Sequence, residues 1–473
     1  MKQIQFGTDG WRDIIADGFD FESVSRVAQA HAQFIQQSGG SRVVIGFDTR
    51  FASDRFARRV AEVMAANGLE THLSVSYVPT PALSFAVVQF KADNGVMITA
   101  SHNPPSYNGY KIKGAYGGSA TPATAKAVEA ELERLKPIPD FDPAVHQIHP
   151  FDIREAYTKA VNAILDLEKL KTFSGRMVHN AMGGAGCGWL EGIVQAAGIN
   201  INLGLYHNEP HPLFYGVNPE PIAPNLEGFA QTIQTPDPMT FGVATDGDAD
   251  RLGAILNTGE FFNSHQIFAV LLHHLHQKGL RGRVVKTVST SSLIDILATN
   301  RGLEVLETPV GFKYITEAFL EGQSDPTQRV LIGGEESGGL AVIGHVPERD
   351  GILNSLLLLE AVASSGKSLG VLFAELEREA GVTHAYDRYD LHLAANFDKN
   401  AVMESLKHGS SIAGRKVTSI NTKDGVKWLL EGFGWVLFRA SGTEPLLRLY
   451  AEAQTQAEVK ELLEAAKTLV LGQ

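Results

Sequence analysis

Short apolar runs alternate with amphipathic stretches along most of the chain. The runs at 42–47 (RVVIGF), 71–76 (THLSVS) and 95–100 (GVMITA) predict β-strands. The segment 53–68 (SDRFARRVAEVMAANG) has helical periodicity, with Ser53 as its predicted N-cap. Strands separated by helices predict parallel sheets that carry helices on both faces.

A proline-rich segment at 136–150 (KPIPDFDPAVHQIHP) interrupts this rhythm and predicts the first domain boundary. A chain of 473 residues is too long for one hydrophobic core. The last part differs, because a polar stretch leads there to an amphipathic helix at 457–471, which is typical of a smaller α+β unit. We therefore predict an α/β protein with four domains, at 1–145, 146–257, 258–375 and 376–473.

Four apolar strands each stop at a polar loop. These loops are SHNPPSYNG (101–109), DGDADR (246–251), GEESGG (334–339) and RASGTEP (439–445). In open α/β sheets, ligands bind beyond the carboxyl ends of the strands. One loop in each domain predicts a single cleft between the four domains.

The DGDADR loop carries Asp246, Asp248 and Asp250 at alternate positions. Three hard oxygen ligands without sulfur or histidine favour Mg²⁺. An EF-hand would need glycine and glutamate where the chain has Arg251 and Asn257, so that interpretation fails. The alternative is a solvated acidic turn.

The RASGTEP loop brings a guanidinium, two hydroxyls and bare backbone amides together at Arg439, Ser441, Gly442 and Thr443, with Arg448 nearby in sequence. Such a set can surround one phosphate dianion. An ordinary turn between two strands is the alternative interpretation.

The GEESGG loop presents Glu335, Glu336 and Ser337 between glycines. A carboxylate that accepts from two neighbouring hydroxyls is a means of binding a sugar and of rejecting the wrong epimer. Surface glutamates beside glycine are also common, so the loop alone leaves both interpretations open.

The predicted metal indicates a role for Ser101, because a phosphoserine beside Mg²⁺ is a phosphoryl donor. A Ser-His-acid hydrolase would use a G-x-S-x-G turn, which Ala100-Ser101-His102 is not. Neighbouring side chains of an extended segment point to opposite faces, so we expect His102 to be poorly placed as a base for Ser101. Lys111 is the better candidate for proton transfer or charge neutralisation.

Composition narrows the possible partners. The 41 Lys and Arg against 53 Asp and Glu give a net charge of −12, which argues against nucleic acid or an anionic membrane. The start MKQIQFGTDG lacks a signal-peptide pattern and no apolar run reaches the ~18 residues of a membrane span, so we expect a cytoplasmic protein. The single cysteine, Cys187, excludes an internal disulfide.

These four loops, together with FGTDGWR at 6–12, resemble the α-D-phosphohexomutase superfamily over nearly the whole chain. The resemblance implies three similar mixed α/β domains and a smaller C-terminal lid. It also implies residue roles. The phosphorylated nucleophile would be Ser101, and its phosphate would hold Mg²⁺ together with Asp246, Asp248 and Asp250. Near the phosphoserine would lie Arg12 and Arg251, with His102 and Lys111 as the acid-base candidates.

The resemblance also implies the residues that bind the substrate. The sugar contacts would be Glu335, Ser337, Lys313 and His345. The phosphate that is not transferred would be surrounded by Arg439, Ser441, Gly442, Thr443 and Arg448.

The implied reaction moves a phosphoryl group between O1 and O6 of a hexose phosphate, with glucose 1,6-bisphosphate as intermediate and activating primer. Dual-specificity members usually read GEMSGH in the sugar loop and phosphoglucosamine mutases GEQSGH, whereas GEESGG is closer to glucose-specific members. The resemblance therefore favours a phosphoglucomutase acting on small sugar phosphates.

Several alternatives remain at this point. Within the family, the chain could be a phosphomannomutase, another hexose mutase or a hexose 1,6-bisphosphate synthase. Outside it, a phosphoserine-type phosphatase or a catalytically silent sugar-phosphate sensor would share some of the loops. Monomer and homodimer are both open.

Overall fold

The computed structural model describes residues 4–7, 9–393, 397–440 and 446–472. These residues form two compact units. The first comprises 1–282 and 311–372, and the second comprises 283–310 and 373–473. The four predicted domain boundaries stay a prediction.

The first unit begins with a seven-stranded sheet and its helices. In chain order they are β1 Trp11–Ile14, α1 Phe21–Gln37, β2 Arg42–Phe47, α2 Ser53–Ala66, β3 Glu70–Ser74, α3 Thr80–Gln89, β4 Asn94–Ile98, β5 Tyr107–Gly114, β6 Gly118–Ser119, α4 Pro122–Glu133 and β7 Ile148–Phe151. The strand order is β1-β5-β4-β2-β3-β7, with β6 paired to β5.

This sheet is mixed, which corrects the expectation of parallel sheets that the strand and helix rhythm gave. Strands β2, β3, β4 and β7 are parallel, but β5 is antiparallel to β4 and to β1. Residues 99–106 alone connect β4 to β5, and a parallel crossover needs a longer connection. The mixed topology agrees with the resemblance to the phosphohexomutases.

The N-cap prediction at Ser53 is wrong. Helix α2 begins at Ser53, after Ala52 at φ 58°, and no side chain caps it. The Ser53 hydroxyl instead donates to Asp48 Oδ1 at 2.7 Å. The local sequence pattern predicts that the Ser53 hydroxyl caps the helix, but in the structure this hydroxyl binds a buried carboxylate.

A second sheet follows in the same unit. Its elements are α5 Arg154–Ile164, α6 Leu167–Leu170, β8 Arg176–Asn180, α7 Trp189–Ala196, β9 Asn202–Tyr206, α8 Glu227–Ile233, β10 Phe241–Thr245, β11 Leu252–Leu256 and β12 Phe261–Phe262. The order is β12-β11-β10-β8-β9, with β10, β8 and β9 parallel and β11 antiparallel to β10. The fully buried strand β10 ends at the predicted metal loop.

The third stretch contains α9 Ser264–Gln277, β13 Arg283–Thr287, α10 Leu293–Asn300, β14 Val305–Thr308, α11 Phe312–Ser324, β15 Val330–Gly334, β16 Leu340–Val342, α12 Gly351–Ser365 and α13 Leu369–Ala380. In the first unit, β15 pairs antiparallel with β16 across the predicted sugar loop. In the second unit, β13 pairs in parallel with β14.

The C-terminal part is a smaller α+β structure, as predicted. It contains β17 Ala385–His392, α14 Lys399–Leu406, β18 Ser411–Ile412, β19 Arg415–Asn421, β20 Val426–Leu430, β21 Trp435–Ala440, β22 Leu446–Ala453 and α15 Gln456–Leu471. Its antiparallel sheet has the order β17-β22-β21-β20-β19-β18. The closing helix starts at a capping box formed by Thr455 and Glu458.

Among the described helices, none alone combines the length and apolar content that crossing a membrane requires. The bent pair α12 and α13 meets both criteria only when the two helices are counted together.

A buried ion pair joins β5 to the turn that precedes α12. Lys113 Nζ lies 2.5 Å from Glu348 Oε2, and both side chains are fully buried. Ser84 and Ser119 also donate to the Glu348 carboxylate, at 3.2 and 3.4 Å. Removing one partner of such a pair leaves an uncompensated charge in the interior.

We expect Lys113→Met to lower the free energy of unfolding of the first unit by about 3 to 5 kcal/mol, because Glu348 loses its closest counter-charge and keeps the more distant Arg349, whose Nε lies 3.8 Å from Oε1. Urea titration followed by fluorescence measures this. Lys171→Met is the matched control: its pair with Glu168 is exposed, at 2.7 Å, and its loss should cost under about 1 kcal/mol. Equal losses in the two variants would contradict the assignment of a stabilising role to the buried pair.

Candidate active site

Ser101 lies in the turn that follows the carboxyl end of β4. Its backbone conformation there is not one that the local sequence predicts. Its φ is 53°, in the left-handed region that a residue with a side chain rarely adopts. The residue is buried, and its hydroxyl donates to Asp246 Oδ2 at 2.9 Å. The structure thus brings the predicted nucleophile to the predicted metal loop.

The three aspartates of that loop meet the requirements of a hard divalent cation. One oxygen from each of Asp246, Asp248 and Asp250 can be chosen so that all lie within 4.8 Å of one another. All three are buried, and Oδ1 of both Asp248 and Asp250 lacks a hydrogen-bond partner among the described residues. Buried carboxylate oxygens without donors, grouped in this way, fit Mg²⁺.

The serine loop and the metal loop touch backbone to backbone. A Cβ added at Gly247 would lie 2.4 Å from the carbonyl oxygen of Ser101. On its other side, the Gly247 carbonyl accepts from Ala185 N at 2.9 Å. Only glycine fits between these two main-chain segments.

Lys111, on β5, occupies the centre of the acidic cluster. Its Nζ lies 2.8 Å from Asp248 Oδ2, 3.1 Å from Asp250 Oδ2 and 2.9 Å from Asp9 Oδ2. Burial favours the neutral amine, but the three carboxylates outweigh it and raise the pKa of Lys111 above its ordinary value. The side chain is therefore a fixed positive charge, which supports charge neutralisation rather than proton acceptance.

The carboxylates respond to each other and to this cation. Burial and the neighbouring Asp248 and Asp250 raise the pKa of Asp246 well above its ordinary value. Burial by itself would raise the pKa of Asp248. Lys111 and the hydroxyl of Thr80, which donates to Oδ2 at 2.6 Å, instead hold this pKa below its ordinary value. The charge of Asp246, which accepts from Ser101, is thus less well compensated than that of Asp248.

His102 corrects the expectation that it would point away from Ser101. Its Nδ1 lies 3.3 Å from Ser101 Oγ, because the left-handed φ of Ser101 breaks the alternation of an extended segment. Burial and the nearby cations, Arg251 first among them, hold the pKa of His102 well below its usual range. The imidazole is therefore neutral, and the same burial and cations oppose its protonation.

Two charged residues that the sequence analysis did not nominate complete the cluster. Arg349 Nη2 lies 2.5 Å from Asp9 Oδ2 and 2.8 Å from Asp250 Oδ2, and its Nη1 lies 3.4 Å from Glu335 Oε2. One buried guanidinium thus connects the N-terminal segment, the metal loop and the sugar loop. Asp9 stands inside the FGTDGWR motif, whereas Arg349 stands between Glu348 and Asp350, where no local pattern marks it.

The sugar loop is joined to the metal loop through its glycines. Leu252 N donates to the Gly338 carbonyl at 3.1 Å, and an antiparallel bridge links Gly339 to Arg251. A Cβ at Gly339 would lie 2.2 Å from Cδ of Arg349. The arginine therefore takes the room that a histidine at the end of the loop would need.

The two predicted sugar ligands differ in their partners. Glu335 is buried, 3.4 Å from Arg349, whereas the buried Oγ of Ser337 has no hydrogen-bond partner among the described residues. Burial raises the pKa of Glu335 to about 7, against the opposing effect of Arg349. The structure thus leaves polar atoms of this loop available for a ligand.

Arg12 and Arg251 contact residues of the serine loop and of the metal loop, respectively. Arg12 Nη1 donates to Asn103 Oδ1 at 2.5 Å, within the serine loop. Arg251 Nε lies 3.9 Å from Asp250 Oδ1, and its Nη1 lies 3.9 Å from Glu220 Oε1. Both guanidiniums therefore lie beside the cluster.

Lys313 and His345 have different surroundings. Lys313, in the first turn of α11, lines a small cavity of about 20 Å³ together with Asp9. The His345 ring is instead buried, with Nε2 3.0 Å from Asp350 Oδ2 and the ring stacked on Phe85. The structure places Lys313 next to the cluster, whereas His345 contacts Asp350, the N-cap of α12, and Phe85 of α3.

The phosphate loop is described only at its two sides. Arg439 on β21 is the register partner of Arg448 on β22, so the two side chains lie on the same face of the C-terminal sheet. The buried Nε of Arg448 has no hydrogen-bond partner among the described residues. Ser441, Gly442 and Thr443 lie outside the described residues, and their role stays a prediction.

Such a site, a buried serine against an acidic triad in a multidomain α/β chain, defines a class of phosphoryl-transfer enzyme. Four family models of phosphoglucomutase/phosphomannomutase match in order: the α/β/α domains I, II and III at residues 3–138, 155–259 and 263–379, and the C-terminal domain at 397–469. The chain belongs to this family, within the α-D-phosphohexomutase superfamily. It is an isomerase of the intramolecular phosphotransferase type.

Individual relatives carry different substrate names. A phosphoglucomutase/phosphomannomutase of Thermococcus kodakarensis is 32% identical over 97% of this chain and 96% of its own length. A phosphoglucosamine mutase of Pelotomaculum thermopropionicum is 30% identical over 97% of both chains. A solved structure from Thermus thermophilus, provisionally named a phosphomannomutase, is 45% identical, covers 100% of both chains and has a TM-score of 0.90.

We expect the affinity for sugar phosphate to rise with pH through about 7, because only the ionised Glu335 carboxylate accepts from two sugar hydroxyls. Between about pH 6 and pH 8, the KM ratio of Glu335→Gln to wild type should increase by roughly an order of magnitude. Steady-state kinetics on a hexose 1-phosphate measures this ratio. The titration of the substrate phosphate affects both proteins equally and cancels in the ratio. Parallel KM profiles for the two proteins would refute the role assigned to Glu335.

Proposed function

We propose that this enzyme is a phosphoglucomutase that interconverts glucose 1-phosphate and glucose 6-phosphate through a phosphorylated Ser101. The observation that carries the proposal is the 2.9 Å hydrogen bond from Ser101 Oγ to Asp246, the first member of a buried triad suited to Mg²⁺. A nucleophilic hydroxyl at the edge of a cation site is the arrangement that phosphoryl transfer needs.

In the first half-reaction, the phosphoserine gives its phosphoryl group to the free sugar hydroxyl. The bond from phosphorus to Ser101 Oγ breaks as the bond from phosphorus to the sugar oxygen forms. The sugar hydroxyl loses its proton and the serine oxygen gains one. The resulting glucose 1,6-bisphosphate turns around and returns its other phosphoryl group to Ser101 by the reverse exchange.

His102 is the acid-base candidate whose ring nitrogen lies near the serine oxygen. Its neutral imidazole lies 3.3 Å from Oγ, within reach of a hydrogen bond after a small adjustment. Lys111 and Arg349 keep their protons and offset the negative charge that gathers around the reacting phosphoryl group. We therefore assign proton transfer to His102 and charge neutralisation to Lys111.

Asp246, Asp248 and Asp250, with a phosphate oxygen on Ser101, would hold the ion. Bound there, Mg²⁺ would supply charge neutralisation for the phosphoryl oxygens and fix their orientation. Arg439 and Arg448, with the loop between them, would hold the phosphate that is not transferred.

The choice of glucose is supported by the sugar loop. Glu335 and Ser337 offer a carboxylate and a hydroxyl, and Arg349 excludes a histidine at Gly339. Relatives named for mannose and glucosamine phosphates make those sugars the rival substrates. We further propose that glucose 1,6-bisphosphate serves as primer and that the enzyme works in the cytoplasm.

Purified enzyme with Mg²⁺ and a trace of glucose 1,6-bisphosphate should convert glucose 1-phosphate at a kcat/KM at least about tenfold above those for mannose and glucosamine 1-phosphates. Coupled assays across the three sugars measure the ranking. A higher kcat/KM for mannose 1-phosphate would overturn the glucose assignment and leave the mutase class intact.

Ser101→Ala should abolish turnover and keep glucose 1-phosphate binding within about threefold of wild type, because anchoring and transfer use different loops. Activity assays and calorimetry measure the two effects separately. Peptide mass spectrometry of substrate-cycled wild type should find the phosphoryl group on Ser101, with Ser106 in the same loop as the internal control. An active Ser101→Ala enzyme would rule out the phosphoserine mechanism.

Asp248→Asn should weaken Mg²⁺ binding by about 100-fold, because it replaces a charged ligand with a neutral one. Calorimetric Mg²⁺ titration of the unphosphorylated protein measures this directly. Asp237→Asn, which changes an exposed turn carboxylate that accepts from Met239 N and Thr240, is the matched control. Unchanged Mg²⁺ affinity in Asp248→Asn would contradict the metal site.

A further inference from the structure

A buried arginine outside the quoted motifs holds the serine loop by its main chain. Arg50 Nη2 donates to the carbonyls of Ser101 and Asn103, both at 2.7 Å. Its Nη1 donates to the carbonyls of Pro104 and Tyr107 at 2.8 and 3.0 Å. Four carbonyls of one loop thus converge on one guanidinium.

The fifth donor of this arginine joins it to Asp48. Arg50 Nε lies 3.1 Å from Asp48 Oδ2, and both side chains are fully buried. The ring of Phe214 covers the guanidinium, with its centroid 4.8 Å from Cζ. Every N–H of the side chain therefore has a partner, and the group lacks a free donor for substrate or phosphate.

Asp48 also reaches the amide of the same serine, through Thr99. Thr99 Oγ1 donates to Asp48 Oδ2 at 2.6 Å and accepts from Ser101 N at 2.9 Å. The Asp48 and Arg50 pair thus holds both the N–H and the C=O of Ser101, from opposite sides of the residue.

These hydrogen bonds on both sides of Ser101 account for its left-handed φ of 53°, a conformation that a residue with a side chain keeps only where its surroundings impose it. We propose that Asp48 and Arg50 are positioning residues that keep Ser101 in this conformation and so aim Oγ at Asp246. Neither touches the reacting group. They act on the rate of phosphoryl transfer through the placement of one oxygen.

The inference rests on the proposed function, because it takes Ser101 as the residue that receives the phosphoryl group. The test therefore begins with wild type. Rapid-quench mixing of dephosphorylated enzyme with glucose 1,6-bisphosphate and Mg²⁺ should show phosphorylation of Ser101. Its absence in wild type would overturn both claims, whereas a defect confined to the variants concerns the positioning pair alone.

Arg50→Lys keeps the charge and loses the fork, since one ammonium has three donors and cannot span four carbonyls. We expect the phosphorylation rate of Ser101 and kcat to fall together by about 100-fold, the effect of a misplaced reacting atom, with KM within about threefold of wild type. Arg154→Lys is the matched control, because Arg154 also binds a carbonyl, Gly188 O at 3.0 Å, and stacks on an aromatic ring, Trp189. It should keep the wild-type rate.

Thr99→Val tests the amide side without removing a charge, and Thr99→Ser is its conservative partner. We expect a rate loss of about tenfold or more in the valine variant and recovery in the serine variant, which restores the hydroxyl. If circular dichroism shows that Arg50→Lys folds poorly, Thr99→Val replaces it as the test of the proposal. Wild-type phosphorylation rates in a folded Arg50→Lys, or rate losses in Thr99→Val that serine does not restore, would overturn the proposal.

Discussion

The candidate site depends on the attraction between the ammonium of Lys111 and three carboxylates. Asp9, Asp248 and Asp250 each place an oxygen at hydrogen-bond distance from Nζ. Lys111, Asp248 and Asp250 are buried, and Asp9 is mostly buried. Unpaired, each charge would carry a desolvation penalty of several kcal/mol. Their mutual attraction in a poorly polarisable interior offsets that penalty, and Arg349 supplies the second positive charge that the cluster requires.

That cluster also explains how distant parts of the chain converge. Asp9 and Arg349 are 340 residues apart in sequence, and Lys111 is 137 residues from Asp248. The carboxylates and the cations of these ion pairs come from different segments, so each segment needs the others to bury its charge. The loops of the first unit are therefore held in part by the same charged groups to which we assign the chemistry.

Much of this site could be predicted from the sequence, because its loops announce themselves locally. An apolar strand that ends in alternating aspartates, or in glutamates between glycines, carries its signal within about ten residues, and Asp246 and Glu335 were found in that way. The pairing of Arg349 with Asp9 could not be found so, since no local pattern records a partner 340 residues away. The left-handed backbone of Ser101 was missed for another reason: Ala-Ser-His contains no glycine, and surrounding contacts impose the conformation. The N-cap prediction at Ser53 failed for a similar reason, because a tertiary contact with Asp48 binds the Ser53 hydroxyl.

Gly247 illustrates what such close assembly means for the divergence of the protein. The main chains of the serine and metal loops meet there without an intervening side chain, since even a methyl group would reach the Ser101 carbonyl. The distance between the Ser101 oxygen and the cation site is thus set by the direct contact of two main chains. Amino-acid replacement cannot change such a distance in small steps. Evolutionary drift toward new sugars would then proceed at the rim of the pocket while the distance at its centre stays constant across descendants.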